Sequence, residues 1–203
     1  MSRYTGTRLR VMRALGVELP GLSPKKIEKR PYPPGQHGQA RKKVSEYRLR
    51  LTEKQKLRMN YGLSEKQMRN MMVEASRLKG SPGQNLLELL ERRLDNVVFR
   101  AGFARSIPAA RQIVNHGHVR IGGRRVDIPS FSVKKGQTIE LLPSALENAH
   151  VKAAISGFTM PLPSWLEHDP SKGTIRVLGR PDPESVLVTV DVQKVVEYYA
   201  VAM

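Results

Sequence analysis

Cysteine is absent from the 203 residues. That single gap excludes disulfides, thiolate zinc sites, iron–sulfur clusters and cysteine nucleophiles, and it fits a reducing compartment. Aromatic side chains make up only 5% of the chain, too few for single-strand binding built on stacked aromatic rings to dominate. Long apolar runs are missing as well. The longest uncharged stretch, Ala153 to Leu166, has 14 residues and is interrupted by Pro161 and Pro163. A membrane span needs about 20 apolar residues. The N-terminus carries Arg3, Arg8, Arg10 and Arg13 without an apolar core, which excludes a secretory signal. A mitochondrial presequence is the weaker alternative: the stretch is basic and has no acid before Glu18, but the basic character runs on far past a plausible cleavage point.

Acidic residues are scarce: 18 against 35 Lys and Arg, for a formal net charge of +17. Such a balance disfavours self-association and favours a polyanion partner. At 39% hydrophobic the chain has enough apolar surface to build a core. The charge is graded. Residues 1–50 carry 13 basic and 3 acidic side chains, whereas residues 151–203 carry 5 and 6. The first three quarters are therefore the polyanion-facing part and the last quarter reads as scaffold. There is no run of five or more like charges, the mark of a disordered tail.

Residues 1–44 are punctuated by Pro20, Pro24, Pro31, Pro33, Pro34 and several glycines. A short helix is expected at Thr7 to Leu15 with Leu9, Met12 and Leu15 on one face. The rest of the segment either orders by laying its backbone on a partner or stays a loose linker. A helix is predicted over 45–60, opened by Ser45 and Glu46, with Tyr47, Leu51 and Leu57 as its apolar trace. A second runs from Ser64 to Lys79, with Ser64 and Gln67 as a capping box and Met68, Met71, Met72, Ala75 and Leu78 as a core stripe. A third is predicted from Asn85 to Phe103, bearing Leu86, Leu87, Leu90, Leu94, Val97 and Val98. Ser106 caps a fourth, with Ile107, Ala110 and Val114 inward and Gly117 as its left-handed terminator.

Strands follow. Gly122-Gly123 between two alternating runs signals a hairpin over 118–126. Thr138 to Leu142 and Thr174 to Leu178 are further strands, residues 143–172 are ambiguous, and Asp191 to Ala200 is a closing helix. Segregated helices and strands indicate an α+β fold. No internal repeat is present.

The informative constellation is Ser106 to Leu141. A capped helix ends at a glycine and a basic hairpin follows. Arg105, Arg111, His118, Arg120, Arg124, Arg125, Lys134 and Lys135 lie on or beside it. Guanidinium forks suit phosphates. No Ser–His–Asp set and no P-loop are present. The spacing of His116 and His118 is weak as a metal site, since structural sites need four ligands, and phosphate or base contact suits it better. Trp165 reads as a packing residue.

The stretch SIPAARQIVNHGHVRIGGRRVDIPSFSVKKGQTIEL (106–141) resembles the RNA-binding module named after bacterial small-subunit ribosomal protein four. MSRYTGTRLRVMRALG at the start, YPPGQHG at 32–38, YGLSEKQMRN at 61–70, LLERRLDNVVFRAGFA at 89–104, PSWLEHD at 163–169 and VEYYA near the end resemble that ribosomal protein family itself, in order along the whole chain. Many of its members carry zinc-binding cysteines near the N-terminus. This chain has none, so no metal is expected there. Gly122-Gly123 stands where Asn-Gly is more usual, and Gln137 where Asp is common.

The resemblance implies a structural protein that binds the 5′-domain junction of small-subunit rRNA and nucleates assembly. It implies a place beside ribosomal proteins three and five at the mRNA entry path, with an influence on decoding fidelity. It implies a helical domain (45–92 plus about 185–203) built from both sides of an inserted module (93–184), after a basic N-terminal segment (1–44) ordered on RNA. The expected RNA-facing residues in the N-terminal segment are Arg3, Arg8, Arg10, Arg13, Lys25, Lys26, Arg41, Lys42 and Lys43. In the helical domain they are Lys54, Arg58 and Arg69. In the module they are Arg105, Ser106, Arg111, Gln112, His116, His118, Arg120, Arg124 and Lys134. No cofactor, membrane or homo-oligomer is expected. A cytoplasmic ribosome is expected, with an organellar one as the alternative.

Two rivals belong to other classes. An RNA-modifying enzyme could use the same module: Arg93-Leu94-Asp95 is similar to the Arg-Leu-Asp holding the catalytic Asp of pseudouridine synthases. Here it is expected inside an amphipathic helix, and no chain is left over for a catalytic domain. A membrane-surface basic protein would need an amphipathic helix with a bulky aromatic face, which is missing.

Overall fold

The computed structural model describes residues 4–40 and 43–202. Among these, the helices are α1 (Arg8–Leu15), α2 (Glu46–Asn60), α3 (Glu65–Arg77), α4 (Pro82–Glu91), α5 (Leu94–Arg100), α6 (Ile107–Asn115), α7 (Pro143–Leu146), α8 (Ala149–Ser156) and α9 (Val192–Ala202). The strands are β1 (Val119–Ile121), β2 (Arg124–Arg125), β3 (Thr138–Leu141), β4 (Leu166–Asp169) and β5 (Thr174–Val177). The strands form one antiparallel sheet in the order β2-β1-β3-β5-β4. The fold is α+β. No helix among the described residues is long and apolar enough to cross a membrane.

The chain divides into two compact units. The first comprises Met1–Leu86 and Leu187–Met203, the second Leu87–Val186. The division falls within α4.

In the first unit, α1 buries Met12, which packs with Leu19, Leu22 and Val188, flanked by Leu9 and Leu15. Gly16, at φ 67°, ends the helix in the left-handed region that glycine tolerates. The Ser45 hydroxyl accepts from the Arg48 amide, and Ser64 with Gln67 completes the expected capping box. Met68, Met72 and Ala75 are buried as the stripe predicted. Two expectations fail at the margins. Tyr47 is 61% exposed rather than part of the buried trace, and Leu78 lies beyond the end of α3, 47% exposed.

Lys54 takes an unexpected place in this unit. Its side chain is almost wholly buried, with the ammonium 2.9 Å from Glu65 Oε2 and 4.6 Å from the centre of the Tyr198 ring on α9. The Tyr199 hydroxyl donates to Glu65 Oε1 at 2.9 Å. Burial by itself would raise the Glu65 carboxyl. The hydrogen bonds from Lys54 and Tyr199, with the Lys54 and Arg58 charges, outweigh it and hold the group below its usual 4.5. A carboxylate depressed on folding contributes stability that is complete above the unfolded value and is lost as pH falls through the folded one. Glu65→Gln is therefore expected to flatten the acid limb of the stability curve below pH 4.5, checked by urea unfolding of both proteins at steps from neutral pH into acid.

In the second unit the single helix predicted from Asn85 to Phe103 is broken at Arg92-Arg93. Arg93 is extended, at φ −68° and ψ 137°, and bridges to Ser132. The Val133 amide donates to the Arg92 carbonyl, and the Leu94 and Asp95 amides donate to Phe131 and Pro129. Pairing with residues 129–133 thus satisfies backbone groups that a continuous helix would have satisfied itself. The ambiguous residues 143–172 resolve into α7, α8 and β4. Trp165 is buried, as a packing residue should be.

Candidate nucleic-acid interface

The candidate surface is built on α6 and the β1–β2 hairpin. Ile107, Ala110 and Val114 anchor one face of α6 in the core. Ser106 occupies the N-cap position, but its hydroxyl makes no capping bond and the residue is buried. Gly117 follows the helix at φ 69°, and a Cβ there would run into the Arg125 guanidinium. That guanidinium donates to the His116 carbonyl at 3.0 Å. Arg125 therefore ties the hairpin to the end of α6. Gly122 and Gly123 lie at φ 56° and 77°, the left-handed pair that a type I′ turn requires.

The turn sets the register. Arg120 opposes Arg125 on β2 and Glu140 on β3, and Arg124 opposes Ile121. Arg120, Arg124, Lys134 and Lys135 are exposed, as are Gln112 and His116 on the neighbouring helix end. His118 is half-buried, its ring centre 6.2 Å from that of His116. Exposed Arg105 donates to the Ala153 carbonyl at 2.9 Å. The hairpin and the end of α6 thus bring together Gln112, His116, His118, Arg120 and Arg124.

Arg111 is differently placed. Asp95, fully buried, lies 2.7 Å from Arg111 Nη2 and 3.1 Å from its Nε. The same carboxylate accepts from Arg93 Nε at 3.1 Å and Nη2 at 2.8 Å, and from the Asn96 amide at 2.9 Å. The Arg93-Leu94-Asp95 motif therefore opens α5 at a helix break instead of lying in mid-helix, with Arg93 as the N-cap, and its carboxylate is occupied by two arginines.

The remaining expected residues lie in the first unit. Arg10, Lys25, Lys43 and Arg69 are exposed. Lys26 pairs with Glu28 at 3.5 Å. Arg8 donates to the Leu22 carbonyl, and Arg13 donates to the Arg30 and Tyr32 carbonyls while stacking over the Tyr32 ring. Arg58 donates to Gln55 at 2.7 Å, and Lys54 is held by Glu65 as above. Arg3, Arg41 and Lys42 lie outside the described residues. Among the described residues no cluster of His, Asp and Glu could hold a metal ion.

A family model described as the ribosomal protein S4/S9 N-terminal domain matches residues 3–91, and one described as the S4 domain matches residues 92–139. The chain is 53% identical over 202 residues to the small ribosomal subunit protein uS4 of Methylobacillus flagellatus, covering 98% of each chain. It is 52% identical to the uS4 of Thermosynechococcus vestitus and 50% identical to the uS4B of Nitrosomonas europaea, again over 98% of each chain. The chain belongs to the uS4 family. These are small ribosomal subunit proteins and not enzymes, which closes the enzyme rival. The S4-domain match ends at residue 139, before α7 and α8.

Proposed function

We infer that the protein is a structural constituent of the small ribosomal subunit that binds the 5′-domain junction of its rRNA and nucleates assembly there. The single observation that carries this is the exposed basic hairpin registered beside the end of α6, in a chain of uS4 character from end to end. The mechanism is electrostatic: Arg120, Arg124 and Lys134 neutralise closely spaced phosphates and release counterions, and the fold presents them in fixed geometry. RNA shape and backbone supply most of the recognition. Residues 1–44 order further on RNA. The assembled protein borders the mRNA entry path beside small-subunit proteins three and five, influences decoding fidelity, and works on the cytoplasmic ribosome.

The test is binding of the purified chain to isolated 5′-domain rRNA and to an unrelated RNA of equal length across a salt series. Tight, selective binding that persists at physiological salt is expected. Equal affinity for both RNAs, collapsing together as salt rises, would reduce the surface to non-specific charge.

A further inference from the structure

We propose that the groove between α6 and α8 receives one unpaired nucleobase of the bound RNA. The groove has a volume of about 330 Å³ and lies wholly within the second unit. That is the lower end of the ~300–1,000 Å³ range of small-ligand sites, suited to one nucleotide rather than a helix. Its floor is apolar, with Phe103, Ile113 and Val151 among its lining. Its rim is formed by Arg105, Gln112, His116, His118, Asn148 and His150. No carboxylate lines it, so nothing there repels a phosphate.

The chemistry fits a splayed base. Unstacked RNA bases are held by stacking on imidazole or guanidinium planes over apolar surface, and their edges are read by amides. The groove supplies all three. The guanidinium of Arg105 is fixed against the Ala153 carbonyl, which steadies it as a stacking plane. Asn148 Oδ1 is committed to the His150 amide at 2.9 Å, leaving its NH₂ as a donor. Gln112 is exposed on α6 and offers both donor and acceptor. His116 and His118 belong to both the groove rim and the hairpin junction, so a strand tracked by Arg120 and Arg124 passes its mouth. Because α8 lies beyond the S4-domain match, the groove adds a base contact that the basic hairpin does not itself provide.

This inference rests on the RNA-binding reading, and the experiment separates the two. Wild type, Ala109→Phe, which fills the groove from α6, and Gln112→Ala, on an exposed side chain, are each bound to 5′-domain rRNA. Affinity is measured across a salt series, and the RNA is probed with dimethyl sulfate, carbodiimide and kethoxal, which together report on all four bases. Wild type is expected to protect at least one unpaired base that both variants leave reactive. Affinity should fall about tenfold in the variants, the scale of one lost stacked base, with the salt slope unchanged because no phosphate contact is removed. If Ala109→Phe does not fold, judged by circular dichroism, Gln112→Ala decides alone. Wild-type affinity and protections in the folded variants would overturn the groove assignment and leave RNA binding standing. Failure of wild type to discriminate between 5′-domain and unrelated RNA would overturn both.

Discussion

Asp95→Ala is expected to lower the unfolding free energy by about 3–5 kcal/mol, the cost of removing one partner from a buried charge pair. The carboxylate is fully buried and accepts from two guanidinium groups and a backbone amide. Removing it leaves Arg93, only 7% exposed at its side chain, as a charge with neither its carboxylate nor water. It also unties α6 from the start of α5. Asp95→Asn keeps the volume and loses the charge, and should fall between. Urea unfolding of the three proteins checks this, and a loss below about 1 kcal/mol in Asp95→Ala would contradict a buried anchor, since that is the scale of an exposed pair. The same geometry makes Arg111 chiefly an anchor: Arg111→Ala should cost stability while shifting the salt dependence of RNA binding little.

The opposite pattern is expected on the hairpin. Replacing Arg120, Arg124 and Lys134 together by Ala should leave stability nearly unchanged, because all three are exposed. RNA affinity should fall on the order of 10²–10³-fold, at roughly 1–1.5 kcal/mol for each screened, charge-assisted contact. The salt slope should flatten by about 2–3, at 0.7–0.9 per phosphate contact by the DNA-derived rule. An unchanged slope would place the RNA on another face. Arg125→Ala is the instructive contrast, since its guanidinium braces the His116 carbonyl. It should lose stability as well as affinity.

These contrasts mark what the sequence discloses and what it hides. The Gly122-Gly123 hairpin, the Ser64–Gln67 box and the Ile107, Ala110, Val114 stripe were legible because each is decided within a few residues. The α+β class followed from them. Lys54 was not legible. Its neighbours on α2 make it look like one more surface cation, and its burial depends on Glu65 and on Tyr198, far along the chain. The break at Arg93 was hidden for the same reason: the apolar period continues across it, and the backbone that interrupts it comes from residues 129–133. Arg111 has the composition of a phosphate ligand and the position of a strut. Charge is visible in a sequence, whereas the partner that spends it is a property of the fold.

Because α9 completes the first unit, the order of synthesis matters. Arg50, Lys54 and Glu65 find Glu197, Tyr198 and Tyr199 only after all of Leu87–Val186 has been made. At ~5–20 residues per second, those hundred residues take about 5–20 s. At the end of that interval the unit that carries the basic hairpin is complete while the helical unit still lacks α9, so Lys54 on α2 has no Tyr198 ring beside it, and Glu65 no Tyr199 hydroxyl, until α9 is made.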